Sequence, residues 1–338
     1  MKTKSLSLGF GLMLTILLSI TFLFAGCSGK TLSFNKQFEA AAQNYFDARN
    51  SYTNFADTTY SLEDSNVEKS KNTLTYEPTG GEEQTLEYDS VVTTTTQTKL
   101  YVKRIGEELA LKLEVKTTES ENYKKFNTET QKVEDVTDTT VIETTYTMAP
   151  KTEEAVTSYY ILKSVKTTVG NAEPTTTTNY YKFANKAAYQ TTITDYLLGQ
   201  DNVDDYTPIS KNISNIFNDL TEVRFYGSFM GGTEEVKEGK NSASYSANID
   251  NFSVYNNAVS KYSFGFDINI KNNKLDNIKT SNTYSSDGEQ STYSSSYSVI
   301  DGANAEIAID TIEGATLVAN LSTNMFENFP RVYIEFGM

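Results

Sequence analysis

The stretch Tyr262-Ser263-Phe264-Gly265-Phe266-Asp267-Ile268-Asn269-Ile270 decides how this chain folds. Tyr262, Phe264, Phe266, Ile268 and Ile270 alternate strictly with Ser263, Gly265, Asp267 and Asn269. A period of two puts one set on a buried sheet face and the other on a wet one, so the segment reads as a half-buried strand. Lys271-Asn272-Asn273-Lys274 follows as a hairpin turn, because paired Asn tolerates the left-handed backbone of a tight two-residue connection. Leu275 to Tyr284 is then the return strand, Ser286-Asp287-Gly288 a second turn, and Tyr293 to Ile300 a third strand.

The same pattern extends in both directions. From about 72 to 195 the chain is Thr-rich, and β-branched side chains suit a pleated surface. Leu109, Leu111, Leu113 and Val115 alternate with Ala110, Lys112 and Glu114, and Val92, Thr94, Thr96, Thr98, Leu100 and Val102 form a similar row. Ile161, Val165 and Val169 alternate less cleanly. Turn signals separate the rows at Glu77-Pro78-Thr79-Gly80-Gly81, at Arg104-Ile105-Gly106-Glu107 and at Gly170-Asn171-Ala172-Glu173-Pro174. Connections this short suit antiparallel hairpins and exclude helical crossovers, so a parallel sheet is not expected. Val332, Ile334 and Phe336 alternate once more at the C-terminal end.

Two segments carry the helical period instead. Phe34, Phe38, Ala41, Tyr45, Ala48, Tyr52 and Phe55 recur at steps of three and four, which predicts one helix over 34–60 with Ser33 as its N-cap. An aromatic stripe of this kind needs a broad apolar partner such as a sheet face. Around 185–222, Ala187, Ala188, Tyr189, Ile193, Tyr196, Leu197 and Leu198 predict one short helix. Ile213, Ile216, Phe217 and Leu220 predict another, so this region reads as a helical insert.

At the N-terminal end, Lys2 and Lys4 precede an apolar run from Leu6 to Phe24, the layout of a secretory signal. Leu23-Phe24-Ala25-Gly26-Cys27 resembles the lipobox of bacterial lipoproteins, with Phe24 standing where Leu is usual. The resemblance implies removal of residues 1–26, a diacylglyceryl group on the Cys27 sulfur, and a short tether over 27–33. Two acyl chains hold a protein to a membrane where one does not. The competing reading, an uncleaved membrane helix, has the about 20 apolar residues a span requires and gives the same topology. Either way the body is extracytoplasmic and its membrane partner is reached through the N-terminal end. Loss of Lys2 and Lys4 makes the exported chain two charges more acidic than the −15 of the whole.

Composition removes several function classes. The chain has no His, no Trp and one Cys. Imidazole-based nucleophilic catalysis and His or multi-Cys metal centres have no ligands, and no disulfide can close within the chain. With 44 acidic against 29 basic residues, nucleic acid is not an expected partner. Catalysis would have to run on carboxylates, and no pair stands out, so an enzyme is not expected and no cofactor is called for. Asp201, Asp204 and Asp205 could ligate Ca²⁺ but lack the spacing of a helix–loop–helix calcium site, so a solvated acidic loop is the preferred reading. Tyr159-Tyr160, Tyr180-Tyr181 and Tyr293/Tyr297 are candidate exposed contacts, weighed against their use as core in a chain without Trp.

The order of elements, and the strand–turn–strand rhythm of FGFDINIKNNKLDNIKTSNTYSSDGEQSTYSSSY over Phe264–Tyr297, resemble carriers of the LolA, LolB and LppX type. That resemblance implies a curved antiparallel sheet, a half-open barrel, enclosing an apolar cavity for a lipid. The expected architecture is therefore a single α+β domain over 34–338. In it a large curved antiparallel sheet packs on a long N-terminal helix and short central helices. The alternative is an all-β sandwich. The expected function is a membrane-anchored, non-catalytic lipoprotein that holds a lipid or other hydrophobic ligand against Phe38, Tyr45, Tyr52 and Phe55. The alternative is a structural or adhesive surface protein with a filled core, in which those aromatics are packing.

Overall fold

In the computed structural model, the deciding stretch lies in strand β9 (Lys261–Lys271), joined to β10 (Lys274–Ser286) by Asn272 and Asn273. Both Asn residues are left-handed, at φ 53° and 55°, the type I′ geometry that the paired Asn predicts. Of the alternating row, Phe266, Ile268 and Ile270 are buried. A Cβ at Gly265 would lie 2.7 Å from Ser281 Oγ on the neighbouring strand, so a larger residue there would require that hydroxyl to turn away. The structure describes residues 32–198, 233–252, 261–286, 289–309 and 316–321. The second expected insert helix, the loop at Asp201 to Asp205, residues 1–31 and the Val332 to Phe336 row lie outside them.

Strands β1 (Thr58–Tyr76), β2 (Gln84–Ile105), β3 (Glu108–Asn127), β4 (Lys132–Glu153), β5 (Val156–Val169) and β6 (Thr175–Phe183) form one antiparallel meander. A second comprises β7 (Thr233–Glu238), β8 (Ser242–Phe252), β9, β10 and β11 (Glu289–Asp301). Pairing of β11 with β1 fuses the two. With β12 (Thr316–Leu321) they make one sheet of twelve strands in the order β12-β6-β5-β4-β3-β2-β1-β11-β10-β9-β8-β7. It is a single open sheet, so the two-layer sandwich is not the arrangement. One pair departs from the antiparallel expectation: β12 runs parallel to β6. It is reached through residues 302–309, which cross the sheet and bury Ile307 and Ile309 against Ala110, Ala149, Tyr160 and Tyr180.

Helix α1 (Phe34–Asp47) packs over β7 to β10, and helix α2 (Lys186–Leu198) over β3, β5 and β6. Both lie on the same face, called here the front, and share one core with Tyr60, Leu100, Val102, Leu109, Leu111, Leu113, Met148, Ile161, Tyr245, Ile268 and Ile278. Tyr189, Ile193, Tyr196 and Leu197 form the buried side of α2, and Asn185 caps it by accepting the Ala188 N–H at 2.9 Å. At the start of α1, the Gln37 N–H donates to the Ser33 carbonyl, so Ser33 does hold the N-cap position. The Phe34 N–H donates to Glu238 of β7 at 2.8 Å.

Helix α1 ends at Asp47, far short of the expected residue 60, and β1 begins already at Thr58. Tertiary partners claim the next turn. Arg49 is buried and donates to the Tyr45 carbonyl and to Thr58 Oγ1, closing the helix from below. Arg104 takes the carbonyls of Tyr52 and Thr53 at 2.6 and 3.2 Å. A guanidinium with several fixed donors satisfies backbone that a helix would otherwise use, so the aromatic period continues while the backbone departs from it. The long amphipathic helix is thus a helix of about 21 Å followed by a pinned turn.

Candidate functional site

The four aromatics expected to line a ligand pocket are brought to the front of the sheet. Phe38, Tyr45 and Phe55 are buried in the main core. Phe34 stacks on Phe38 at 5.6 Å and meets Tyr245 of β8 at the same distance. Tyr45 donates to Tyr60 at 3.1 Å and lies under the Arg49 guanidinium at 4.5 Å. Burial pushes the Tyr45 hydroxyl well above its ordinary pKa, and the nearby Tyr60 and Tyr297 push it further. Tyr52 is half-buried on the turn.

Of the four, Tyr45 borders a cleft of about 340 Å³ between the end of α1 and the β9–β10 hairpin. Asn44, Arg49, Lys274, Leu275, Val299 and Asp301 complete much of its wall. Asp301 accepts from both Arg49, at 3.3 Å, and Lys274. The Lys274 hydrogen bond holds its carboxyl below the usual carboxylate range, against partial burial, with Arg49 assisting. The cluster ties three elements together, and its charges satisfy one another.

A second polar knot forms where α2 meets the pinned turn. Glu108, buried at the start of β3, accepts from Lys186 at 2.5 Å, Tyr52 at 2.7 Å and Gln190 at 3.0 Å. Burial raises its pKa, but these three donors outweigh it and hold the carboxyl below its ordinary value. Tyr52 also accepts the Leu109 N–H at 3.0 Å, and Tyr189 donates to the Leu109 carbonyl at 2.5 Å. Every group in the knot has a partner, so its chemistry is that of a fastener.

The tyrosine pairs are mostly core. Tyr159, Tyr160, Tyr180 and Tyr297 are buried, Tyr181 packs against the core, and Tyr293 donates to Asp64 at 2.9 Å. Among the described residues no group of acidic side chains or Cys has the arrangement of a metal site. No helix among them is long and apolar enough to cross a membrane.

What remains is the sheet itself. Strands β1 to β4 run 19 to 22 residues, or about 65–75 Å. The buried positions gather at one end of each: Thr58, Tyr60 and Leu62 in β1, then Thr98, Leu100 and Val102 in β2, Glu108 to Leu111 and Leu113 in β3, and Tyr146 to Ala149 in β4, with Ser90 of β2 the exception, buried toward the other end. Beyond those positions both faces are half-buried or exposed over most of their length. This is why Thr93 to Thr96 can form a run. Thr94 and Thr96 face front, Thr93 and Thr95 face back, and a hydroxyl on a β-branched side chain suits both. Thr96 and Thr117 share a cross-strand hydrogen bond at 3.3 Å.

The two wet faces differ in charge. On the back, one row in register reads Asp267, Lys279, Ser296, Glu63, Gln97, Lys116, Glu143, Lys166 across eight strands. Opposite signs adjoin, and Glu143 bridges Lys166 at 3.0 Å and Lys116 at 3.8 Å. On the front, a row reads Tyr284, Ser291, Glu68, Val92, Glu121, Asp138 across six strands. Its charged members are all acidic, and Glu119 stands one row below. Sequence reading missed this surface because which residues share a face depends on register, which no single strand reveals.

No family model and no curated protein matches the chain. Among solved structures, the transport unit of the autotransporter AIDA-I from Escherichia coli aligns over 79% of this chain and 98% of its own, at 9% identity. The TM-score is 0.11, too low for any inference about the fold.

Proposed function

We propose that this protein is a non-catalytic extracytoplasmic lipoprotein, held to the bacterial membrane by a lipidated Cys27, whose body is a structural or adhesive surface. The observation that carries the reading is the division of the long strands into a packed end and an end wet on both faces. A single layer that buries little adds nothing to a core, so its length serves reach and exposed area. Small hydroxyls and charges over both faces are what an exported chain can show to water without aggregating. Phe38 and Phe55 support the same reading, because they are spent on packing.

The second reading keeps the curved, half-open barrel and hydrophobic ligand of the carrier fold. It is favoured by the place of Tyr45, Leu275 and Val299 in the cleft beside α1. Native mass spectrometry of the purified protein, with solvent extraction, separates the two. The surface reading predicts the bare protein mass apart from the anchor. A stoichiometric extra lipid would overturn it in favour of the carrier. Cys27→Ser tests the anchor: the variant is expected in the soluble fraction, and full retention in the membrane would replace the lipid anchor by an uncleaved helix.

A further inference from the structure

Among the described residues, the carboxylates of the wet front row have no cationic partner, although Glu68 accepts from Asn66 at 2.8 Å and Asp138 from Tyr123 at 2.9 Å. Glu68, Glu119, Glu121 and Asp138 are all exposed, and Glu121 stands directly opposite Asp138. Like charges at one cross-strand position oppose pairing. The back face of the same strands avoids this: Lys69 pairs with Asp89 at 2.8 Å, Lys124 with Asp135 at 2.6 Å, and Glu143 with Lys116 and Lys166. The same strands thus carry ion pairs on the back and an acidic row on the front, where Lys125 and Lys132 lie beyond the row toward the β3–β4 turn.

Apolar side chains frame the acidic row. Tyr284 closes it on β10 at 47% exposure, and Val169 and Ile142, at 59% and 39%, lie beside it on β5 and β4. The row from Tyr284 to Asp138 spans five strand spacings, about 24 Å. That is the reach of roughly seven extended residues or sixteen helical ones.

We propose that this face docks a Lys- or Arg-rich polypeptide segment laid across the strands, its cations over Glu68, Glu119, Glu121 and Asp138 and its apolar residues at Tyr284 and Val169. The occupant follows from charge complementarity, and from apolar ends that a simple counter-ion would not use. The inference deepens the surface reading by naming a partner class, but it is tested in solution and does not depend on where Cys27 places the protein.

The test uses the full chain in non-ionic detergent and a fluorescent dodecalysine peptide at low salt. One variant neutralises the front (Glu68→Gln, Glu119→Gln, Glu121→Gln, Asp138→Asn). A control removes the same charge from the back (Glu63→Gln, Asp89→Asn, Glu114→Gln, Glu143→Gln). The front set should weaken binding at least tenfold and the back set less than twofold. Glu121→Lys alone should weaken it, at an exposed site where folding is not at stake. Equal losses from front and back sets, or no binding by the unaltered chain, would overturn the proposal. So would spermine competing at the same charge concentration as the peptide, which would make the face a counter-ion surface only.

Discussion

Glu121 of β3 and Asp138 of β4 occupy one cross-strand position on the front of the sheet, two carboxylates facing each other in register. Replacing one by a neutral isostere removes a repulsion and leaves the backbone ladder intact. Glu121→Gln should therefore stabilise the protein by about 0.2–1 kcal/mol, read as a higher urea midpoint with unchanged slope. Glu143→Gln on the back should move the midpoint the other way, because that carboxylate lies between Lys116 and Lys166.

The β4–β5 hairpin turns through Glu154 and Ala155, both left-handed at φ 47° and 65°. Neither residue type favours that conformation, which costs roughly 1–2 kcal/mol per residue. Glu154→Asn with Ala155→Gly supplies residues that accept it. The double variant should raise the thermal midpoint, and calorimetry would show no gain if the strain were absent.

Glu108 sets the acid limit. Its folded pKa is lowered, so its stabilising contribution is complete above the unfolded carboxylate value and is lost as pH falls through the folded one. Tyr52→Phe removes one of its donors and the acceptor of the Leu109 N–H. That change should cost about 1–3 kcal/mol at neutral pH and shift acid unfolding to higher pH, as followed by circular dichroism.

Tyrosines set the alkaline limit. Burial raises the hydroxyl pKa of Tyr45, Tyr189 and Tyr297 well above the ordinary value, and that of Tyr60 above it. The unfolded chain therefore loses these protons first, and stability falls as pH rises past about 10. Absorbance at 295 nm should show that Tyr45, Tyr60, Tyr189 and Tyr297 ionise only with unfolding, as a step that coincides with loss of the folded signal.

Much of the sheet was legible in the sequence. The 262–284 hairpin, the Leu109 to Val115 alternation and the turns at Gly80, Gly106 and Gly170 all stand where pattern and turn residues put them. The hairpin at Glu154-Ala155 was not, because those residues carry no turn signal. The helix over 34–60 was overextended because Arg104, more than forty residues away, rewrites the backbone after Asp47. Ala110 reads as a wet position but is buried, since residues 302–309 cover the back of the sheet there. Phe38, Tyr45 and Phe55 are buried on the front of the sheet as their helical period predicts, but a filled core and a cavity wall draw on the same residue types, so their use is not legible in sequence.

Surface display of a sheet open on both sides is tested most directly at Thr94 and Thr95, neighbours in sequence on opposite faces of β2. Thr94→Cys and Thr95→Cys would each be expressed as the lipidated protein and exposed, on intact cells, to a thiol reagent that cannot cross membranes. The account predicts that both label, with the Cys27 sulfur blocked as a thioether by its diacylglyceryl group. Labelling only after the cell envelope is breached would contradict surface display, and labelling of one variant but not the other in the purified protein would contradict the two-sided sheet.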